Sequence, residues 1–278
     1  MRSANYIHRH LITVVTILAG SMVGPVALAA DSTHQPADDT SLKDGVLDWT
    51  HDTVQAGKQT FTNPRNLKIM GVTAVGSAVL MFTNGDDEIR DIVDDIGLPG
   101  GFGDAGFQLG GVGPALLDLG LFAHGKIRDN ERSTEAGKVL ASALAIDGLT
   151  TGAMKIAIGR HRPSDTNSSA EFDPFSFSNR SFPSGHTSWS FTTATVMAEM
   201  YDDKPWVKYA GYTTASLIGV ARISDDSHWA SDVLFGAVKG YLIGKTVTRM
   251  HKNHRMENVS IVTDMSRDSN YVGLGFRF

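Results

Sequence analysis

The chain has 278 residues, of which 41% are apolar, and this suits one large globular domain with a sizeable core. Its formal net charge of −5 gives no basic surface for nucleic acid, so no nucleic-acid partner is predicted. The absence of cysteine excludes disulfides, thiol catalysis and cysteine-ligated zinc, and it is compatible with export.

Residues 1–29 have the pattern of a secretory signal peptide. Arg2 and Arg9 precede an uncharged apolar run, Leu11 to Val26, and Ala27-Leu28-Ala29 is typical of a cleavage site. The alternative is an uncleaved membrane anchor. We expect an exported protein, in the periplasm of a Gram-negative cell or associated with its envelope, whose mature chain begins with a flexible leader at 30–45.

Apolar residues at helical spacing predict a helical domain over residues 46–255. A first helix is expected from Leu42 to Phe61 and a short acidic helix from Asp87 to Ile96. The uncharged part of the segment between them, residues 69–83, has 15 residues. Because a bilayer span needs roughly 20 residues, a buried core helix is favoured here.

The stretch from Leu98 to Gly113 carries seven glycines. It lacks the Gly-Lys-Ser/Thr ending of a P-loop, so a flexible or closely packed connection is expected. Pro114 should then open a helix that ends at about Phe122 or His124. The next helix is expected to start with Ser133 as its N-cap and to run to about Gly159.

The second half of the domain is expected to be helical around one polar loop, residues 164–180. The phenylalanines of this loop are expected to fold back over the site; they are Phe172, Phe175 and Phe177. Three more helices are expected: His186–Met200, Trp206–Ala221 and His228–Met250. In the last one Lys239 and Lys245 interrupt the apolar run, which argues against a bilayer span.

The tail, residues 256–278, alternates between apolar and polar or small residues. Val259–Val262 and Tyr271–Phe278 are strand-like and are separated by a polar turn. A β-hairpin that packs against the helical domain is expected, because one hairpin cannot close a membrane barrel.

Two short segments carry cations and small polar residues that suit an anion. Lys155 and Arg162 are seven residues apart and would share one face if the helix continues that far. Ser184 and Gly185 stand at a predicted helix start, where free N–H groups and the positive end of the macrodipole attract phosphate. Taken alone, the first pattern is typical of a solvated helix face and the second of a turn.

A third segment, Arg222 to Asp232, places His228 four residues before Asp232. Such a pair would lie one above the other on a helix. The carboxylate can accept the proton of one imidazole nitrogen, which leaves the other nitrogen free to attack an electrophile. Alone, this spacing is most often a surface pair.

Together the segments form the patterns Lys-x6-Arg-Pro, Pro-Ser-Gly-His and Arg-x5-His-x3-Asp. They resemble the type 2 phosphatidic acid phosphatase and vanadium haloperoxidase superfamily, which includes bacterial class A acid phosphatases. The resemblance covers about residues 114–244 and implies a helical bundle with the site at one end, between helix termini. The one departure is Ala221, where the family usually has serine, and only a mild loss is expected from it.

The resemblance implies a site that binds the phosphoryl group by positive charge. Lys155, Arg162 and Arg222 would bind the phosphoryl oxygens through charge-assisted hydrogen bonds. Ser184 and the backbone N–H of Gly185 would add donors that stabilise the transition state. Neither a metal nor a cofactor is implied.

The resemblance also implies the catalytic roles. His228 would attack phosphorus and form a phosphohistidine, with Asp232 as its orienting group. His186 would protonate the leaving oxygen and then activate water. Because His186 must be protonated while His228 keeps a free nitrogen, a mildly acidic to near-neutral pH optimum is expected.

The implied activity is hydrolysis of phosphate monoesters or lipid phosphates, such as phosphatidic acid or a polyprenyl diphosphate. An apparent lack of several full bilayer spans favours a soluble enzyme, or one in peripheral contact with a membrane, and the oligomeric state stays open. Two alternatives remain: a vanadium-dependent haloperoxidase, and a non-catalytic envelope protein that uses the tail for interaction.

Overall fold

The computed structural model describes residues 39–178, 180–257, 259–266 and 269–276. This part of the chain is mostly helical, as predicted. The helices are α1 (Asp39–Thr62), α2 (Pro64–Phe82), α3 (Gly85–Asp95), α4 (Phe102–Ile127), α5 (Glu131–Ile158), α6 (Gly185–Met200), α7 (Pro205–Ser224) and α8 (Ala230–Glu257), and the strands are β1 (Val259–Ser266) and β2 (Ser269–Phe276).

The two ends of the chain lie only partly within the described residues. The predicted signal peptide, residues 1–29, lies outside the described residues, whereas the end of the predicted leader is helical from Asp39 onward. At the other end β1 and β2 are antiparallel, with Val259 opposite Phe276. The packing of this tail against the helical domain stays a prediction.

The glycine-rich stretch is helical, so the prediction of a connection followed by a helix at Pro114 is wrong. A single helix, α4, runs from Phe102 to Ile127 with Pro114 inside it. The pattern was misleading because the repeating face of α4 consists of glycines instead of apolar residues. A Cβ at Gly110 would lie 2.7 Å from the Ile218 side chain, so the glycines allow α4 to pack closely on α7.

Helix α5 differs from the prediction at its start and agrees with it at its end. It begins at Glu131 because the N-cap is Asn130, whose side chain accepts the N–H of Ser133. It ends at Gly159, which has a φ of 61°, a left-handed conformation that favours glycine. Arg162 lies beyond this end, so the condition for a helical face shared by Lys155 and Arg162 is not met.

Helix α6 lies at the centre of the bundle, between α7 and α8. Glycines at every fourth position of α8 allow it to approach the backbone of α6. A Cβ at Gly236 would lie 2.6 Å from the carbonyl oxygen of Ser184, and Gly240 faces the carbonyl of Ser188 in the same way. This contact fixes where α6 begins relative to α8, and both helix starts belong to the candidate site.

Helix α2 is not the buried core helix that was expected. Its buried residues include Asn66 and Ser77, whereas Val72 and Phe82 are 74% and 71% exposed. Asn66 donates to Thr60 and Thr246, and Ser77 donates to the carbonyl of Ser231. An apolar outside and a polar inside suit a lipid environment better than water.

Two described helices, α4 and α5, have the length and apolar composition of a membrane span. Helices α2 and α3 together give a third candidate, although they are bent by 77° relative to each other. The expectation that such helices are lacking is therefore wrong, because α4 begins at Phe102 instead of Pro114 and α5 is apolar enough over its 28 residues. These helices favour membrane association.

Candidate active site

The residues of the three motifs lie at one end of the bundle, where α5 and α7 end and α6 and α8 begin. The backbone N–H of Ser184 donates to the carbonyl of Asp232 at 3.1 Å, and the N–H of His228 donates to the carbonyl of Arg222 at 2.9 Å. A Cβ at Gly185 would lie 3.8 Å from Cε of Lys155. The fold thus brings segments that are up to 77 residues apart in the chain into direct contact.

The start of α6 offers backbone donors. Ser184 is the N-cap in an extended conformation, and its side chain does not cap the helix. It is buried and its hydroxyl pairs with the hydroxyl of Thr187 at 2.9 Å. The first N–H groups of the helix, at Gly185 and His186, therefore point towards the site without a capping side chain.

The three predicted phosphate-binding cations have unequal numbers of protein partners. The side chain of Arg162 has no hydrogen bond or ion pair with any described residue. Nη2 of Arg222 contacts Asp225 at 2.6 Å and the carbonyl of Gly103, but its buried Nε has no partner in the described chain. Lys155 donates to the carbonyl oxygens of Arg180 and Ser181 at 2.5 and 3.1 Å. Arg162 and Arg222 therefore have donors free for a ligand.

His228 and Asp232 contact each other, although the prediction that both lie on one helix is wrong. Helix α8 begins at Ala230, so His228 belongs to the turn before it. Its Nδ1 lies 3.5 Å from Oδ2 of Asp232 and 3.5 Å from Oγ of Ser181. Nε2 is then the nitrogen that is left for chemistry.

The electrostatic environment keeps the His228 ring neutral. Burial and the nearby charges of Lys155 and Arg162 lower the pKa of His228 to about 3, against the opposing effect of Asp232. A hydrogen bond from His228 and the charge of Arg160 hold the pKa of Asp232 at about 2, although burial raises it. A neutral imidazole beside an ionised carboxylate is the protonation state that a nucleophilic histidine needs.

His186, the second residue of α6, faces α4. Its ring lies 4.9 Å from that of Phe107, centroid to centroid, and neither ring nitrogen has a hydrogen-bond partner among the described residues. Burial, followed by the charges of Arg222 and the other site cations, lowers the pKa of His186 to about 4. A bound phosphoryl dianion opposes these cations, so we expect ligand binding to raise this pKa.

Sequence reasoning missed four residues of this region. Arg160 and Asp86 form a buried network with Asp232, Ser181 donates to Asp232 at 2.5 Å, and Phe107 packs between His186 and Arg222. A signal was available for two of them: Arg160 lies inside the first motif, two residues before Arg162, and Ser181 lies two residues before Pro183 of the second motif.

The phenylalanine loop is only partly folded onto the bundle. Phe172 lies 5.9 Å from the guanidinium of Arg160 and 6.3 Å from the ring of Phe82. Phe175 and Phe177, however, are 75% and 59% exposed. The expectation that all of them cover the site is wrong for these two, which lie on the surface.

Comparisons with known proteins point to one family. The family model described as "PAP2 superfamily" matches residues 136–256. Lipid A 1-phosphatase of Porphyromonas gingivalis is 41% identical over 118 residues, which are 41% of this chain and 24% of that protein. A probable diacylglycerol pyrophosphate phosphatase 1 of Schizosaccharomyces pombe is 32% identical over 171 residues, 49% of this chain and 60% of that one.

A probable lipid phosphate phosphatase 4 of Arabidopsis thaliana is 30% identical over 128 residues, 35% of this chain and 42% of that one. The chain therefore spans between about a quarter and three fifths of the length of these relatives. A crystal structure of a transmembrane PAP2 type phosphatidylglycerolphosphate phosphatase from Bacillus subtilis aligns with 74% of this chain and 96% of its own, at 20% identity and a TM-score of 0.37. On its motifs and these sequence matches, residues 136–256 of the chain are a segment of the PAP2 superfamily type, that of the type 2 phosphatidic acid phosphatases.

Proposed function

We propose that this protein is a phosphatase that hydrolyses lipid phosphates through a phosphohistidine on His228. The observation that carries the proposal is a set of unused donors around a neutral histidine. Within the described chain the side chain of Arg162 has no partner, Nε of Arg222 is buried without an acceptor, and the first N–H groups of α6 are uncapped. A phosphoryl dianion supplies the oxygens that these donors lack.

In the first step, Nε2 of His228 attacks phosphorus and the bond from phosphorus to the ester oxygen breaks. Lys155, Arg162 and Arg222 stabilise the charge on the non-reacting oxygens. His186, protonated when the dianion is bound, donates its proton to the leaving oxygen. The products are a free alcohol, or a shorter phosphate from a diphosphate, and a phosphohistidine whose Nδ1–H faces Asp232.

In the second step, water attacks the phosphohistidine. The now neutral His186 takes a proton from this water, the bond between phosphorus and Nε2 breaks, and inorganic phosphate leaves. His228 returns to its neutral form and His186 to its protonated form, so the cycle balances. The cations supply the positive charge that the transition state requires, so we expect activity to persist in the presence of a chelator such as EDTA.

A lipid substrate is favoured by two observations. The relatives named above act, by their names, on lipid A, lipid phosphates and diacylglycerol pyrophosphate. Phe175 and Phe177 are exposed on the loop that also supplies the Arg180 carbonyl to Lys155, so apolar surface lies beside a phosphate-binding side chain. An acyl chain is a suitable partner for that surface.

Rapid quenching in alkaline detergent after reaction with labelled substrate tests the mechanism, because alkali preserves a phosphohistidine and a later acid treatment removes it. The wild-type protein should give an acid-labile, base-stable phosphoenzyme, and His228→Ala should give none. His51→Ala is the matched control, because His51 lies on the exposed side of α1 and its loss should leave the labelled band unchanged. An undiminished band in His228→Ala contradicts the proposed nucleophile.

A substrate panel tests the substrate class. Phosphatidic acid, diacylglycerol pyrophosphate and a lipid A phosphate in detergent should give a higher kcat/KM than p-nitrophenyl phosphate. Phe175→Ser with Phe177→Ser should lower kcat/KM for the lipids but not for p-nitrophenyl phosphate. A higher kcat/KM for p-nitrophenyl phosphate than for the lipids, in the wild type and in the double variant, would contradict the lipid assignment. If the wild type hydrolyses neither the lipids nor p-nitrophenyl phosphate, the proposal that the protein is a phosphatase is contradicted.

A further inference from the structure

Asp86 is a buried carboxylate that the reaction above does not use. It lies in the first turn of α3 and is 0% exposed. Its oxygens accept hydrogen bonds from the N–H and the hydroxyl of Ser231, at 2.8 and 2.6 Å, and from Nη2 of Arg160 at 2.7 Å. Asp86 also lies outside the family segment, residues 136–256, so no comparison assigns it a role.

Arg160 connects this carboxylate to the candidate site. It is 0% exposed and makes five hydrogen bonds, to Asp86, Ser231, Asp232 and twice to the carbonyl of Ser169. Its guanidinium also lies 5.5 Å from the ring of Trp229, and the five hydrogen bonds use all five of its N–H groups. Arg160 therefore has no donor left for phosphate, and its function must lie in the groups it joins.

The other end of the connection is the partner of the nucleophile. Oδ1 of Asp232 accepts from Nη1 of Arg160 at 2.5 Å. Oδ2 accepts from Ser181 at 2.5 Å and from the N–H of Trp229 at 3.0 Å, and it faces Nδ1 of His228. One oxygen of Asp232 is thus held by Arg160, and the second is aimed at His228.

We propose that Asp86 is a positioning residue for phosphoryl transfer, acting on His228 through Arg160 and Asp232; this rests on the proposed function. Arg160 is paired with both Asp86 and Asp232, so its positive charge neutralises Asp232 only in part. Asp232 can then stabilise the positive charge that the His228 imidazole gains as it becomes a phosphohistidine. Without Asp86, Arg160 would pair with Asp232 alone and would neutralise more of its negative charge. The transfer step would slow, whereas phosphate binding, which uses other cations, would be preserved.

The test compares Asp86→Asn with Asp91→Asn, an exposed carboxylate of the same helix. Asp86→Asn should lower kcat and the rate of phosphoenzyme formation about 10- to 100-fold, as expected for loss of a group behind a functional ligand. KM and inorganic phosphate affinity should stay within about threefold, and Asp91→Asn should match the wild type. Changes in KM and phosphate affinity as large as the change in kcat would overturn the proposal, and so would an unchanged kcat.

The pH profile separates positioning from a structural role. Removing a negative charge near His228 makes its protonation harder, so the acidic limb of kcat should move to lower pH in Asp86→Asn. The basic limb, which depends on His186, should not move. A lower kcat with both limbs in place would mean that Asp86 only supports the fold and would refute the inference.

Ser231→Ala provides a second variant in case Asp86→Asn does not fold. It keeps both carboxylates and Arg160 but removes the hydroxyl that joins them, so a smaller fall in kcat, about threefold, is expected; no fall would count against the network.

Nitrogen-15 NMR of the His228 ring tests the inference independently of turnover. The Nδ1–H tautomer should dominate in the wild type and be depleted in Asp86→Asn. Identical spectra of the two proteins would refute the inference. Absence of turnover in the wild type would refute only the proposed function.

Discussion

Arg160 and Arg162 are two residues apart, yet they differ in almost every physical respect. Arg160 is completely buried and makes five hydrogen bonds. Arg162 is half-buried and its side chain has no bonded partner in the described chain. Under the proposed function, the contrast indicates that residue type alone does not define a phosphate-binding cation. What defines it is whether the protein supplies enough acceptors of its own.

The same contrast holds between larger regions. Below the site Lys239 is buried against Asp147 and donates to Thr151 at 2.6 Å, while Asp147 also accepts from Ser188 and Thr192. This cluster is saturated, like the one around Arg160. The proposed phosphate-binding layer, Arg162 and Arg222, keeps donors without a partner in the described chain. Deleting one cation at a time tests this difference.

The largest expected effect on stability comes from Arg160→Met. It would leave two buried carboxylates without their counter-ion and should lower the free energy of unfolding by about 3–5 kcal/mol. Arg162→Met should change stability by less than about 1 kcal/mol but should lower kcat/KM about 10- to 100-fold, the value of a hydrogen bond to a charged group. Denaturant unfolding in detergent, together with kinetics, measures both quantities. Equal destabilisation by the two variants would remove the distinction.

The Asp147–Lys239 cluster should behave as a saturated pair. Either Asp147→Asn or Lys239→Met alone should destabilise by about 3–5 kcal/mol, because each leaves an uncompensated group in the interior. The double variant Asp147→Leu with Lys239→Met should recover much of that loss. Additive losses in the double variant, measured by the same unfolding assay, would mean that the two side chains act independently.

The close approach of α4 to Ala221, the residue before Arg222, can be altered with a single methyl group. A Cβ at Gly106 would overlap the side chain of Ala221, so Gly106→Ala should cost about 1–3 kcal/mol in stability and should lower kcat/KM. Gly120 lies on the same helix, and a Cβ there would have no described neighbour within 4 Å. Gly120→Ala should therefore raise stability by about 0.5–1 kcal/mol, and the same loss in both variants would contradict close packing at Gly106.

The smallest expected effect is a pH dependence of ligand affinity. Burial and the site cations hold the pKa of His186 at about 4 in the free protein, and a bound dianion should raise it. Binding then takes up a proton, so affinity for phosphate should increase as pH falls towards 4 and level off below that value. The ratio of wild-type to His186→Asn affinity isolates this effect, because the titration of the ligand cancels. A ratio independent of pH would contradict the linkage.

The sequence predicted the mostly helical fold and the segments that meet at the site because both depend on local patterns. Helix α6, for example, was expected from His186 to Met200 and begins one residue earlier, at Gly185. Glycine and proline positions predicted helix boundaries less reliably. Pro114 lies inside a helix and α4 has a glycine face, since close packing compensates for their low helix propensity.

What the sequence could not predict was the pairing of buried charges. Nothing local distinguishes Arg160 from Arg162, because the carboxylates that decide the matter belong to Asp86 and Asp232, 74 and 72 residues away. His228 and Asp232 were correctly predicted to contact each other but were wrongly placed on one helix. The contact survives because the turn before α8 brings the ring back towards the carboxylate.

Helix α4 has a consequence for how substrate choice could evolve. It precedes the family segment, yet it brings Phe107 beside His186 and the Gly103 carbonyl to Arg222. In the proposed reaction the alcohol departs on the His186 side, so α4 forms the wall that the departing group must pass. If the proposed reaction holds, separate stretches of the gene encode the phosphorus chemistry and the fit of the departing group, and we expect exchange of this one helix to alter selectivity while the reacting atoms stay unchanged.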